Sequence, residues 1–490
     1  MITDELKIRI REAFGLVPTA EQERAIGVFA DFMTDRRDEA VMILRGSAGT
    51  GKTTLAAAIV RAMLSLQQAA TPRGGHASDR MVLLAPTGRA AKVFSLYAGH
   101  AAYTIHRRIY RQKSMEGGFS LNFNAAADTL FIVDEASMIS NQEAGDWGQE
   151  MGGSLLDDLI RFVYNGRNCR LLLIGDRAQL PPVGEEESPA LTAEVLRMHG
   201  LHVYECDLNE VLRQSAESGI LFNATRIRRG GTVLPRIRFQ GFADIKVVPG
   251  NDLIDELANS YHRAGMDETI VITRSNKRAN IYNLGIRNRI LDYDAELCGG
   301  DRIMIVKNNY YWGKESGDRR QDAGLDFIAN GDMLTLNRFR NERIVHGFRF
   351  VDATLDFGNG GDAFHATLLL DSLMSEAPSL TASQQQQLFQ AVWNDYPEIR
   401  NKRERMKAVQ EDMFYNALQV KYAYAVTCHK AQGGQWEEVF IDQGYITEDM
   451  LDADYLRWLY TAITRATRHV YLVNWPRQML EHCVATATSA

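Results

Sequence analysis

Cysteine is scarce in this chain. Five stand among 490 residues (Cys169, Cys206, Cys298, Cys428 and Cys483), and no two share C-x-x-C spacing. That argues against a zinc site or a disulfide framework and for a reducing, cytoplasmic compartment. Long apolar runs are missing as well: none approaches the roughly 18–20 residues of a membrane helix, so no membrane partner is expected. The opening "MITDELKIRIREAF" is charged throughout and lacks the apolar core of a signal peptide. Basic charge is not in excess either. The formal net charge is −7, so any nucleic-acid site has to be a local groove. There is no N-K-x-D guanine reader, no nuclease-type carboxylate cluster and no internal repeat. The four-glutamine run at 384–387 is too short to count as low complexity.

What is present reads as a globular α/β protein. Hydrophobic residues make up 45% and charged residues 24%, the proportions of a folded chain. At 490 residues one core does not suffice, and about three or more domains are expected. Two groups of short apolar runs alternate with helical patterns. The first is "AVMILRG" (40–46), "MVLLAPT" (81–87), "TLFIVDEAS" (129–137) and "CRLLLIGD" (169–176). The second is "DETIVITRSN" (267–276), "KYAYAVTCHK" (421–430), "EEVFIDQG" (437–444) and "RHVYLVNW" (468–475). Continuous Val/Ile/Leu runs of this kind predict buried parallel strands, here in two sheets. Between 333 and 370 the pattern turns to short alternating segments, a small antiparallel β insert, followed by a polar helical stretch over 381–418. Residues 107–128 read as a hairpin-like insert.

The chemistry starts at "GSAGTGKTT" (46–54), which matches G-x-x-x-x-G-K-[ST] between a strand and a helix. Gly46, Gly49 and Gly51 let backbone N–H groups curl around phosphates, with Ala48, Thr50 and Thr54 in the same cradle. Lys52 supplies a cation for the β and γ phosphates, and the Thr53 hydroxyl can ligate Mg²⁺. "LFIVDEAS" (130–137) adds Asp134 for the metal and Glu135 to polarise the attacking water. ATP and Mg²⁺ are the expected cofactors. In "VPTAEQERAI" (17–26), Thr19 and Gln22 form either a helix capping box or, for Gln22, an amide that reads adenine. Further on, "LLLIGDRAQLPPVG" (171–184) puts Asp176 and Gln179 at a strand's carboxyl end, where open α/β sheets bind ligands.

In order along the chain stand "PTAEQ", "GSAGTGKTT", "APTGRAAK", "TIH", "VDEASM", "GDRAQLPPVG", "EVLRQ", "VITRSN", "TCHKAQGGQW" and "YTAITRAT". This series, spanning about 17 to 475, resembles the superfamily 1 helicases of the RecD/Dda-like branch. The resemblance implies two RecA-like domains with parallel sheets and ATP in the cleft between them. It divides the chain into a first domain over 1–215, a second over 216–332 and 419–490, and an insert over 333–418 with a Src-homology-3-like barrel. It makes Arg465 an arginine finger, Gln179 a γ-phosphate sensor and Arg213 a residue of the domain junction. Gly433, with Gln432, would approach the nucleotide. Arg468 is read as an ordinary surface or structural arginine.

For DNA, Pro86, Thr87, Arg89 and Lys92 follow a strand and enter a helix, so hydroxyl, guanidinium and N–H groups can meet a phosphate. Thr104, His106, Thr427, His429 and Lys430 match further DNA-contacting motifs of the family. Many relatives in this branch carry an acidic residue where this chain has Gln435. The implied activity is ATP-driven 5′→3′ translocation on single-stranded DNA and separation of tailed duplexes, independent of base sequence. The alternatives are a translocase or remodeller, or the motor subunit of a recombination-repair complex. Replication and repair proteins are the implied protein partners, and a complete cleft within one chain permits a monomer. Phe119 or Phe123 would serve as the separating wedge. Tyr310, Tyr311 and Trp312 stack on a base or pack a domain junction, and packing is the preferred reading. Cys428 reads as core filler.

Overall fold

The computed structural model describes residues 2–70, 80–112, 119–142, 153–211, 217–230, 236–309, 311–312, 328–358 and 363–481. The first half carries β1 (Ala40–Gly46), β2 (Met81–Ala85), β3 (Ala102–Thr104), a hairpin of β4 (Tyr110–Gln112) and β5 (Phe119–Leu121), then β6 (Leu130–Val133), β7 (Arg170–Gly175) and β8 (His202–Leu208). Six of these form one parallel sheet in the order β3-β2-β6-β7-β1-β8. The central strands are buried throughout, as strands covered by helices on both faces must be.

The second half adds β9 (Ile237–Arg238), β10 (Ile245–Val248), β11 (Thr269–Thr273), β12 (Arg302–Ile305), β13 (Met333–Val345), β14 (Phe348–Asp356), β15 (Phe364–Leu369), β16 (Leu418–Tyr422), β17 (Ala425–Thr427), β18 (Trp436–Asp442), β19 (Ala466–Val473) and β20 (Leu480–Glu481). A second parallel sheet runs β10-β19-β18-β11-β17, and β20 pairs separately with β9. Strands β12 to β16 close into a barrel.

Three features differ from the sequence expectation. Strands β3, β8 and β10 were not among the apolar runs. β3 is three residues long, while β8 (HVYECDL) is an edge strand with only two buried positions, so neither reads as a continuous run. The barrel is wider than the 333–370 insert, because β12 and β16 on its flanks complete it. And "KYAYAVTCHK" is two strands, β16 in the barrel and β17 in the sheet. Asn283 explains the break: its Oδ1 accepts from Tyr424 and Ala425 N–H at 3.1 and 2.7 Å, and its Nδ2 donates to Ala425 O at 3.1 Å. A buried amide thus satisfies backbone groups that neither sheet uses there.

The helices Ala382–Asn394 and Lys402–Gln410 cover the barrel through Leu388, Val392 and Val409, packed against Phe348, Phe350 and Leu369. Trp312 is buried in the barrel's core and donates from Nε1 to Asn416 O at 2.9 Å. It packs, as preferred; Tyr310 lies outside the described residues. In the hairpin, Phe123 is 67% exposed just beyond β5, whereas the Phe119 side chain is outside the described part.

Candidate nucleotide cleft and strand-facing loops

The phosphate loop leaves the carboxyl end of β1 and enters the helix Lys52–Ala70. Its turn is fixed by Thr50, whose Oγ1 donates to Ser47 O at 2.8 Å. A side chain at Gly46 would come within 2.8 Å of that Thr50 oxygen, and Gly49 holds φ +79, so both positions need glycine. The first-turn N–H groups of the helix point out of its N-terminus, the arrangement that takes phosphate.

Around this loop one cleft gathers Lys52, Thr53, Asp134, Glu135, Asp176, Gln179, Gly433 and Arg465. Arg465 follows the helix Ala453–Ile463 on the second-sheet side and is only 3% exposed. Its Nη1 lies 3.8 Å from Glu135 Oε1 and 3.2 Å from Gly434 O, to which it donates. Glu135 sits in the left-handed region at φ 51, a strained conformation for a glutamate that aims it off the end of β6. Its Oε2 and the Oε1 of Gln179 are both buried without a hydrogen-bond partner among the described residues. Two buried acceptors without a protein partner in one cleft suit the positioning of a water.

Burial, then the neighbouring Glu135, pushes Asp134 above the usual carboxylate range, against the opposing pull of Lys52 and of the Tyr97 hydroxyl. Burial also raises Asp176, again opposed by Lys52. Three carboxylates facing so few cations fit a divalent ion: Thr53 and Asp134 are the residues that would hold Mg²⁺. Among the described residues no group of three or more His, Cys, Asp or Glu side chains could hold a metal ion.

Two residues not singled out in the sequence matter here. Tyr460 donates to Asp176 Oδ2 at 2.5 Å and accepts from Ala48 N–H at 2.9 Å, so it ties the second-sheet helix to the phosphate loop. Tyr97 donates to Asp134 Oδ2. Tyr460 lies inside "YTAITRAT" and was within reach of a motif reading; Tyr97 reads as a core aromatic at helical spacing and gave no signal. Ala48, expected to meet phosphate, uses its N–H on Tyr460. Gln22 realises the capping-box alternative: its Oε1 accepts from Thr19 N–H at 2.9 Å while Nε2 donates to Thr50 O at 3.0 Å. At 1% exposure it braces the phosphate loop and presents no open amide edge to a base. Arg213 lies outside the described residues.

The loops expected to face DNA do converge. Ala85 pairs in register with Thr104, so the loops after β2 and β3 leave the sheet side by side. From the second sheet, Gly433 (φ +72) comes so close that a Cβ there would lie 2.8 Å from Ala90 Cβ and 3.0 Å from Thr87 Oγ1. Pro86 is half-buried at the end of β2, Lys92 and His429 are exposed, and Thr427 is half-buried. Thr87 and Thr104 cap their helices, accepting from Ala90 and Arg107 N–H at 3.2 Å each. His106 is half-buried, and burial lowers its pKa to about 4, leaving a neutral imidazole. Lys430 donates to Asn330 Oδ1 at 2.6 Å. Arg89 departs from its expected place: its guanidinium lies 4.0 Å from the ring centre of Trp436 and donates to Gln435 O at 2.8 Å. It is held against the second half of the molecule. Arg468 pairs with Glu437 at the surface, 2.8 Å away, and Cys428 is fully buried, as expected of both.

A phosphate loop and an acidic strand end on one parallel sheet, met by an arginine from a second, define a P-loop NTPase with two RecA-like halves. Comparison with known proteins refines this. A profile of the UvrD-like helicase C-terminal domain matches residues 422–473, and an AAA-domain profile matches residues 19–241. The chain is similar to the ATP-dependent DNA helicase dda of Enterobacteria phage T4, 23% identical over 93% of this chain and 99% of that one. It is also similar to the ATP-dependent RecD2 DNA helicase of Deinococcus radiodurans, 34% identical over 29% of this chain but 16% of that one. A Pif1 helicase from Bacteroides, solved with ADP-AlF3 and single-stranded DNA, aligns over 95% of both chains at 14% identity with a TM-score of 0.45, too loose a likeness to carry more. The two profiles and the likeness to Dda and RecD2 together support a superfamily 1 ATP-driven DNA helicase of the Dda/RecD-like kind.

Proposed function

We propose that this chain is a monomeric motor that moves 5′→3′ on single-stranded DNA and separates tailed duplexes, driven by ATP hydrolysis between its two sheets. The observation that carries the reading is Arg465: it comes from the second half yet sits buried beside Glu135 in the first. A hydrolytic site assembled from both halves changes with their separation, and that coupling is what a motor needs.

In this reading the first domain spans 1–215 and the second 216–332 with 419–490, and 333–418 is the insert, whose barrel borrows strands from both flanks. The phosphate loop from Gly46 to Thr54 orients the triphosphate, and Lys52 offsets charge on its outer phosphates. Thr53 and Asp134 would hold Mg²⁺, which would supply charge neutralisation to the phosphates. Glu135 Oε2 takes the proton of the attacking water, and Gln179 Oε1 fixes that water's orientation. Arg465 meets charge developing at the γ-phosphate, with Arg213 at the junction and Gly433 against the nucleotide. Pro86, Thr87, Lys92, Thr104, His106, Thr427, His429 and Lys430 follow the strand's backbone without reading bases.

The test uses two matched duplexes, one with a 5′ single-stranded tail and one with a 3′ tail. ATP-dependent opening of the 5′-tailed duplex alone is expected. Opening of the 3′-tailed one alone would reverse the polarity. DNA-stimulated hydrolysis without opening of either would make the protein a translocase or a partner-dependent motor.

A further inference from the structure

Arg89 begins in the loop-helix segment read as a DNA contact, yet its side chain crosses to the other half of the molecule. The guanidinium lies over Trp436, which is 1% exposed, and Nη2 donates to Gln435 O at 2.8 Å. Nη1 lies 3.5 Å from Met333 Sδ, and Nε is buried with no hydrogen-bond partner among the described residues. Burial and the nearby Arg302 lower its pKa to about 10, which leaves it charged at neutral pH.

The segment it grips is the one that holds Arg465. Trp436 N–H donates to Arg465 O at 3.0 Å, and Arg465 Nη1 donates to Gly434 O at 3.2 Å. The fit is tight to the backbone: a Cβ on Gly434 would stand 2.4 Å from the Trp436 ring and 2.9 Å from Arg89 Nε. Displacing the Arg89 side chain therefore frees the peptide whose carbonyl orients Arg465. A planar guanidinium suits this seat because it stacks on the indole while donating in its own plane; a compact, tetrahedral ammonium cannot do both at once.

We propose that Arg89 is a positioning residue for Arg465, a first-half arginine that seats on Trp436 when the halves approach and sets the second-half arginine beside Glu135. The inference rests on reading Arg465 as the arginine finger. It removes Arg89 from the DNA contacts and gives it a place in the hydrolytic cycle.

The full chain is tested as Arg89→Ala, Arg89→Lys, Arg465→Ala and the Arg89→Ala/Arg465→Ala double variant. The readouts are ATP turnover at saturating oligo-dT and oligo-dT affinity across a salt series. A shift of about 1 Å at a catalytic group costs about 10²-fold in rate, so Arg89→Ala is expected to slow turnover by about 10- to 100-fold. Arg89→Lys should fall with it, and the double variant should be no slower than Arg465→Ala. The slope of log affinity against log salt should stay as in the wild type. Turnover intact with a slope reduced by about 0.7, the loss of one single-strand phosphate contact, would overturn the inference. So would multiplying effects in the double variant, or Arg89→Lys behaving as wild type. If Arg465→Ala itself turns over normally, the finger reading falls, and the Arg89 inference with it. If Arg465→Ala is slow and both Arg89 variants are normal, only the latter fails.

Discussion

The nucleotide cleft and the strand-facing loops grow from the carboxyl ends of the same sheets, yet their polar groups are held differently. In the cleft, Glu135 Oε2 and Gln179 Oε1 are buried with no partner among the described residues. In the loops, Thr87 and Thr104 cap helices, Lys430 donates to Asn330, and Arg89 is stacked on Trp436. The cleft is built with contacts to spare, so a substrate completes it. The loops are already satisfied by protein, so a DNA strand must exchange contacts there or use the exposed Lys92 and His429. An interaction gained by exchange is worth less than one gained at an empty partner. Variants in the cleft should therefore act mainly on turnover and by large factors, and variants in the loops on affinity by small ones.

The largest effect is expected for Lys52→Ala. Its ammonium sits in the cleft with Asp134 and Asp176 and counters the charge of both. Hydrolysis should drop below detection with and without DNA while oligo-dT binding persists, as read by phosphate release and fluorescence anisotropy. Full hydrolysis would break the phosphate-loop assignment. Arg465→Ala comes next. Removal of an arginine finger costs about 10³–10⁵ in turnover. ATP binding should change little because the hydrogen bonds and ion pair of Arg465 among the described residues go to Thr461, Gly434, Thr464 and Glu135 and not to the phosphate loop. An unchanged rate would make Arg465 a structural arginine holding Gly434.

Lys52 was legible in the local sequence, whereas Arg465 was reached only through the family resemblance, and the reason for the difference is physical. A phosphate loop is local: its glycines, its strand and its helix are contiguous, so spacing alone defines it. Parallel buried strands are legible for the same reason, since burial on both faces removes polar residues. What could not be read depends on chains that meet only in the fold. Arg89 looks like any cation after a strand until Trp436, 347 positions on, supplies a surface for it. Strands β12 and β16 escape because the barrel is closed by segments more than 100 residues apart. Gln22 could be narrowed to two roles from sequence; the fold forms the capping box and adds a bond to Thr50 O that neither role announced.

A smaller effect is expected where the two regions are joined. Tyr460→Phe removes the hydroxyl shared by Asp176 Oδ2 and Ala48 N–H. It leaves a buried carboxylate short of a donor, a loss of about 1–3 kcal/mol, so the melting temperature should fall. Turnover should drop by less than for Arg465→Ala, because the hydroxyl touches the loop's support and not the γ-phosphate side. A thermal melt with and without ATP separates the two effects. If Ala48 N–H is needed by the nucleotide, ATP should stabilise the variant more than it stabilises the wild type.

The smallest and most specific effect concerns Lys430 in the short helix Cys428–Ala431 that follows β17. Burial, followed by repulsion from Lys421, lowers its pKa to about 8. The sign for stability is a cost: holding the charged amine in the fold is unfavourable below about 8, and the cost disappears as pH rises toward the unfolded lysine value of about 10.4. For DNA the sign is opposite. Only the ammonium pairs with a phosphate, and a bound phosphate pulls the proton back on, so oligo-dT affinity should fall as pH rises through 8. Between pH 7 and 9 the fall approaches about tenfold, the loss set by one pH unit above a pKa. Lys430→Arg, always charged in this range, should flatten the profile, and Lys430→Ala should be weak and flat. A wild-type profile as flat as the arginine variant's would show that Asn330 keeps its hold on Lys430 and that the strand passes elsewhere.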